Sequence, residues 1–191
     1  FVGRFSADTI DDVNVQVDRV LYYERDVTSD AIWYSKGIGI ASSQGDGQGD
    51  DGESDDAHLE NIREKLINYN YTVIDQVYDI YGSTTQQVYD AVNDGRGIIN
   101  YTGHGWQQGW GNGSPLEVSD INELNNMGKL PFVITVGCNV GEFNTVTNSY
   151  SESWLRATNN GQAIGGIGHF GSTISQSWEP PMHGQYGMNL I

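Results

Sequence analysis

Apolar positions along the chain follow two alternating rhythms, one helical and one extended. Phe1-Val2-Gly3-Arg4-Phe5 reads as an opening strand. Ile10, Val13, Val17, Val20 and Leu21 then recur at helical spacing and predict a helix over residues 9–25 that lays this stripe on a core. Thr9 with Asp12 resembles a capping box at its start. Ile32-Trp33-Tyr34 is a connector, and Gly37 to Ser42 is a buried strand of little bulk. Leu59, Ile62 and Leu66 mark a helix over residues 57–69, with Asp55 or Asp56 as its cap. Tyr71 to Val77 is a β-branched and aromatic strand. Ser83 or Thr84 caps a helix carrying Val88, Ala91 and Val92, and Gly95 stands where a C-terminal glycine belongs.

Two strands follow that each end at a small residue. They lie in the stretches Gly97 to Gly105 and Pro131 to Asn139, where the small residue is followed at once by His104 or by Cys138. Between them Ser119 starts a helix with Ile121, Leu124 and Met127, ended by Gly128. A helix near residues 151–158, a glycine-laced strand from Ala163 to Gly171, a loop through Gln176 to Pro181 and a helix starting at Met188 complete the chain. Alternating strands and helices predict an α/β fold, a mostly parallel sheet with helices on both faces, as one domain over residues 1–191.

Between Ser43 and Asp56 no apolar side chain occurs, so this stretch is an exposed loop. Its carboxylates suggest calcium, although their spacing is not that of an EF-hand. A solvated glycine loop is the simpler alternative. Nine Lys and Arg oppose 25 Asp and Glu, for a net charge of −16. Such a surface excludes nucleic acid and anionic membranes as partners. It suits a cationic partner, bound calcium or plain solubility. No apolar run approaches the ~18 residues of a membrane span, which excludes insertion. No signal peptide is visible, and both ends look cut. The chain therefore reads as an internal segment of a longer protein whose flanking domains are missing.

The candidate chemistry sits at the two strand ends. His104 follows one apolar run, and Cys138, the sole cysteine, follows the other. Ligands of open parallel sheets bind beyond the carboxyl ends of the strands. One right-handed crossover between these strands brings an imidazole beside a thiol, the pair that nucleophilic catalysis needs. The N–H groups of Gly105 and Cys138 are then candidate donors to an oxyanion. Spacing alone leaves other readings open. The thiol also fits an inert buried residue. His58, His169 and His183 compete with His104, and none of the four makes a zinc motif with the cysteine.

The run Asn100-Tyr101-Thr102-Gly103-His104-Gly105, then Val136-Gly137-Cys138, then Gly141-Glu142-Phe143, resembles the gingipains, secreted cysteine peptidases of the caspase-like clan. Val2 to Ser6, Tyr23-Glu24-Arg25, Gly52-Glu53-Ser54-Asp55, Ser175-Gln176-Ser177-Trp178 and Pro181-Met182 extend the resemblance along nearly the whole chain, closer to the arginine-specific members than to the lysine-specific one. The resemblance implies a caspase-like three-layer sandwich in an extracellular or cell-surface cysteine endopeptidase, cleaving proteins or peptides after a basic residue, Arg rather than Lys. His104 would be general base and acid and Cys138 the nucleophile. Asp55, Gln176 and Trp178 would line the S1 pocket. No cofactor is required, and structural calcium is expected only by analogy. Gln44 stands where arginine-specific members carry a glutamate thought to orient the histidine. The alternative is a calcium-binding or adhesin-like module on the same fold that has lost catalysis.

Overall fold

The computed structural model describes residues 3–29, 31–44, 49 and 51–190. Its centre is a five-stranded, all-parallel sheet of β1 (Lys36–Ala41), β2 (Val73–Tyr78), β3 (Ile98–Thr102), β6 (Phe132–Val136) and β9 (Gly168–Phe170), in the order β2-β1-β3-β6-β9. Two small hairpins pair β4 (Gly105–Trp106) with β5 (Gly109–Trp110), and β7 (Thr158–Asn159) with β8 (Gln162–Ala163). The helices are α1 (Ile10–Leu21), α2 (Asp55–Asn68), α3 (Thr85–Asp94), α4 (Val118–Ile121), α5 (Tyr150–Arg156) and α6 (Glu179–Met188).

Strand alternation divides the core between the two faces of the sheet. Ile38, Ile40, Ile99, Tyr101 and Val133 pack with Val88 and Val92 of α3 and with Trp154 of α5. On the other face Ala41, Ile74 and Tyr78 pack with Leu59, Ile62 and Leu66 of α2. Glycines in β1 let α2 approach. A Cβ at Gly39 would lie 3.3 Å from the Tyr78 ring and 3.7 Å from Leu59 Cβ.

Several sequence expectations need correction. Residues 3–7 form no strand, and Phe1 and Val2 lie outside the described residues. Ser6 O instead accepts from Gln16 Nε2 at 2.7 Å and from Arg156 Nε at 2.9 Å. The apolar stripe of α1 faces outward, with Ile10 79% exposed. Gln16 and Arg19 are the buried residues of that helix. The Arg19 guanidinium donates to Trp154 O at 2.5 Å, to Ala157 O at 3.2 Å, and to Gly166 O. The Trp154 and Ala157 carbonyls lie at the C-terminal end of α5, where a cation is favoured. Polar satisfaction, which hydrophobic periodicity does not report, thus sets the rotation of α1. Burial lowers the Arg19 pKa to about 10.

The helix expected from Ser119 is a single turn, begun by a reciprocal cap between Glu117 and Asp120. The strand expected over residues 163–171 is divided between β8 and β9. The loop with two prolines is the first turn of α6, where proline is tolerated, and α6 ends at Met188 rather than starting there. Ser54, not Asp55 or Asp56, caps α2, accepting from Ala57 N at 3.4 Å.

Candidate active site

Strands β3 and β6 each deliver a functional group to one edge of the sheet. Strands β3 and β6 are neighbours, with Thr102 paired to Val136 as the last register pair. His104 and Cys138 each stand two residues beyond that pair. Gly103 N donates to Val136 O at 3.0 Å and extends the pairing by one step. The two side chains line one small cavity with Gly103, Val136, Gly137, Gln176, Ser177 and Trp178. His58, His169 and His183 are not among the cavity's described lining residues. His169 Nε2 lies 2.8 Å from Thr135 Oγ1, and burial pushes its pKa down to about 3.

His104 is held at the ring and at the backbone. Its Nε2 lies 2.6 Å from Gln44 Oε1. An amide oxygen only accepts, so Nε2 carries the hydrogen in this pairing and Nδ1 keeps the lone pair. The imidazole meets the Trp178 indole edge to face, with centroids 5.3 Å apart. Its backbone N–H donates to Asn112 Oδ1 at 2.8 Å, and its carbonyl accepts from Tyr101 OH at 2.6 Å.

Cys138 is half-buried. Its Sγ lies 3.5 Å from Gln176 N and 3.6 Å from Gln176 O, and Gln176 Nε2 donates to Gly137 O at 3.2 Å. Gln176 therefore frames the thiol itself. Gly105 packs against the cysteine backbone. A Cβ there would stand 2.7 Å from Cys138 O and 3.1 Å from Cys138 N. Only glycine allows that approach, which brings residue 105 beside the Cys138 amide.

Asp55 opens α2 and is fully buried. Ser42, just past β1, donates to its Oδ2. Oδ1 has no hydrogen-bond partner, and neither has the buried indole Nε1 of Trp178. Burial raises the Asp55 pKa to about 6. The Ser42 hydroxyl and the Trp178 indole oppose that shift, while the negative charges of Asp56 and Asp79 add to it. The indole thus favours the ionised form of the carboxylate. Among the described residues no cation compensates this buried acid, so a pocket holding it favours a cationic group.

Residues that the sequence left unnoticed support the site. Ser42 accepts from Gln44 N at 3.1 Å and so ties the Asp55 carboxylate to the Gln44 loop. Gln185 of α6 is buried; its Oε1 lies 2.9 Å from His58 Nε2 and accepts from Thr102 Oγ1 at 2.8 Å. Its Nε2 donates to Tyr101 O at 3.1 Å and Ile134 O at 3.2 Å. The helix that begins after Trp178 is thereby fastened to β3, β6 and α2. Asn112 sits in Gly111-Asn112-Gly113, a turn signal visible in the sequence. Gln185 carried no such signal.

Among the described residues, no group of three or more His, Cys, Asp or Glu converges as a metal site does. Asp51 N donates to Glu53 Oε2 at 2.8 Å, and Asp56 Oδ1 accepts from Ser54 Oγ at 2.7 Å, so two of the loop's acids serve the loop and the helix start. Asp46 and Asp50 lie outside the described residues. Among the described residues, no helix is long and apolar enough to cross a membrane.

Comparison with known proteins agrees with this fold. The model of peptidase family C25 matches residues 1–190. Gingipain R2 of Porphyromonas gingivalis is 39% identical over 191 residues, which cover 100% of this chain and 26% of that protein. Lys-gingipain of the same organism is 23% identical over 194 residues, covering 100% of this chain and 11% of it. The crystal structure of the Arg-specific cysteine proteinase gingipain R matches with a TM-score of 0.94 at 38% identity, over 99% of this chain and 43% of that one. The likeness is thus greater to the arginine-type relatives, and the chain spans 26% of the length of gingipain R2.

Proposed function

This chain belongs to peptidase family C25, and from that premise we propose that it carries the catalytic centre of a cysteine endopeptidase cleaving after arginine. The observation that carries the proposal is the shared cavity of His104 and Cys138, each two residues past a paired strand end.

In this reading His104 Nδ1 takes the proton of the Cys138 thiol. The thiolate attacks the scissile carbonyl carbon, and the N–H groups of Gly105 and Cys138 hold the resulting oxyanion. Collapse of that intermediate breaks the C–N bond. The leaving amine receives the proton from the imidazolium, and a thioester remains on Cys138. Water then attacks the thioester with His104 again as base, which frees the carboxylate product and restores the thiol. Gln44 fixes the tautomer but supplies no charge to the imidazolium.

Asp55 is the selector. The guanidinium of a substrate arginine pairs with its free Oδ1, and Trp178 offers an indole to the same group. Lysine reaches the carboxylate as a point charge without the two-pronged contact. Gln176 shapes the wall between pocket and thiol. The substrate is then a protein or peptide, and secretion goes with the family resemblance. Calcium enters no step of this reaction.

The test is peptide hydrolysis by the full-length protein with Cys138→Ala and with His104→Ala. Each should lose turnover by orders of magnitude while its circular dichroism stays that of the parent. Near-parental turnover in either variant would reject the dyad.

A further inference from the structure

The geometry points to Asp79 as a positioning residue that clamps both holds on His104, an inference that rests on the dyad reading above. Asp79 begins the short 3₁₀ turn Asp79–Tyr81 at the end of β2. That turn closes through its own backbone, with Gly82 N donating to Asp79 O at 2.9 Å. The carboxylate is directed elsewhere. Its Oδ2 accepts from Ser43 N at 3.2 Å and from Gly113 N at 3.1 Å. Its Oδ1 accepts from Ser83 Oγ at 3.0 Å, and the same hydroxyl contacts Gly113 O.

The two backbone partners belong to the two segments that hold the histidine. Ser43 precedes Gln44, whose side-chain oxygen lies 2.6 Å from His104 Nε2. Gly113 follows Asn112, whose side-chain oxygen accepts the His104 backbone N–H at 2.8 Å and the Tyr101 hydroxyl at 3.1 Å. One carboxylate oxygen thus joins the segment that orients the ring to the segment that orients the backbone. Ser43 and Gln44 are exposed, so they have little packing of their own to fix them. Bonds from N–H groups to a carboxylate are stronger than neutral ones, which suits a clamp on an exposed loop. The side chains of Asp55 and Trp178 make none of these bonds, so the clamp's direct partners are the two segments that hold the base, while the Asp79 charge reaches Asp55 only through space.

Three substitutions in the full-length protein separate geometry from charge. Asp79→Ala removes the clamp. Asp79→Asn keeps an oxygen for both N–H groups but loses the charge. Asp79→Glu keeps the charge but displaces the oxygen by a methylene. Misplacement of a catalytic group by about 1 Å costs on the order of 100-fold in rate. Asp79→Ala should therefore lower kcat by about 10- to 100-fold, with KM and the Arg-to-Lys preference close to the parent's. Asp79→Asn should retain more kcat than Asp79→Glu. In a Gln44→Ala background Asp79→Ala should cost less than in the parent, because one of its two routes is gone. An unchanged kcat in a folded Asp79→Ala protein overturns the clamp. So does a Glu variant that matches or exceeds the Asn variant, or a collapse of the Arg-to-Lys preference.

Amide hydrogen exchange reads the clamp without any peptidase activity. Exchange at His104 and Gly113 should speed up in Asp79→Ala and stay near parental in Asp79→Asn. Unchanged exchange in Asp79→Ala rejects the clamp even if hydrolysis is intact, whereas accelerated exchange in a protein that never hydrolyses peptides rejects only the dyad.

Discussion

Asp55 Oδ1 and Trp178 Nε1 are both buried without a hydrogen-bond partner among the described residues, yet the indole still favours the ionised Asp55 carboxylate. A fold that only needed a helix cap would not require this arrangement, since Ser54 already caps α2. In the proposed function the pair is half of a binding site whose missing half arrives with the substrate.

This arrangement costs stability at neutral pH. The Asp55 pKa rises to about 6 through burial, against roughly 3.9 in an unfolded chain. Its contribution to folding is fully present below the unfolded value and is lost as pH rises through about 6. Asp55→Asn should therefore raise the melting temperature at pH 7.5, by an amount corresponding to at most ~3 kcal/mol. The gain should vanish near pH 4. Melting curves of both proteins across that range check it. A variant less stable than the parent at pH 7.5 would show that Asp55 is compensated in the folded protein.

The same titration shapes specificity. Below about pH 6 the Asp55 carboxyl is protonated and cannot pair with a guanidinium. The ratio of kcat/KM for an arginine peptide to that for a matched glutamine peptide should therefore climb as pH rises through about 6. Titration of the dyad cancels in the ratio. A ratio flat from pH 5 to 8 would remove Asp55 from substrate recognition.

Gln44 is expected to act through ring orientation alone. Gln44→Ala should lower kcat about tenfold or more while KM for an arginine peptide stays near parental, because an oriented base contributes roughly 10²–10⁴-fold. Gln44→Glu retains the acceptor and should keep at least the parental kcat. Steady-state kinetics of both variants check this. Equal losses in the two would mean that the loop, not its side chain, holds His104.

Arg19 illustrates what the sequence concealed. The chain order, the parallel sheet and the paired strand ends were legible, because β3 and β6 are apolar runs closed by Gly103 and Gly137. The rotation of α1 was not legible. Its apolar stripe predicted the wrong face, since the Gln16 amide bonds Ser6 O and the buried Arg19 guanidinium bonds carbonyls far away in sequence. Gln185 and Asp79 were unread for the same reason: their partners come from other elements, and no local spacing announces them. Removing Arg19 should be severe. Arg19→Leu leaves the carbonyls of Trp154, Ala157 and Gly166 without their donor and should cost on the order of 3–5 kcal/mol. Denaturant unfolding measures it, and a loss under about 1 kcal/mol would mean that water replaces the guanidinium.

Calcium bears on the acidic loop only. If part of Asp46 to Asp56 binds it, the melting temperature of the full-length protein should be higher in calcium than in chelator. Identical melting temperatures at saturating calcium would assign that loop to solvent.

The most direct measurement is the rate at which Cys138 is alkylated by two peptide chloromethyl ketones, one ending in arginine and one in glutamine, followed by mass spectrometry. The account predicts faster labelling of Cys138 by the arginine reagent, a large fall in that advantage in Asp55→Asn, and a slow common rate in His104→Ala. Equal rates for both reagents in the parent protein, or an arginine advantage that survives Asp55→Asn intact, would contradict it.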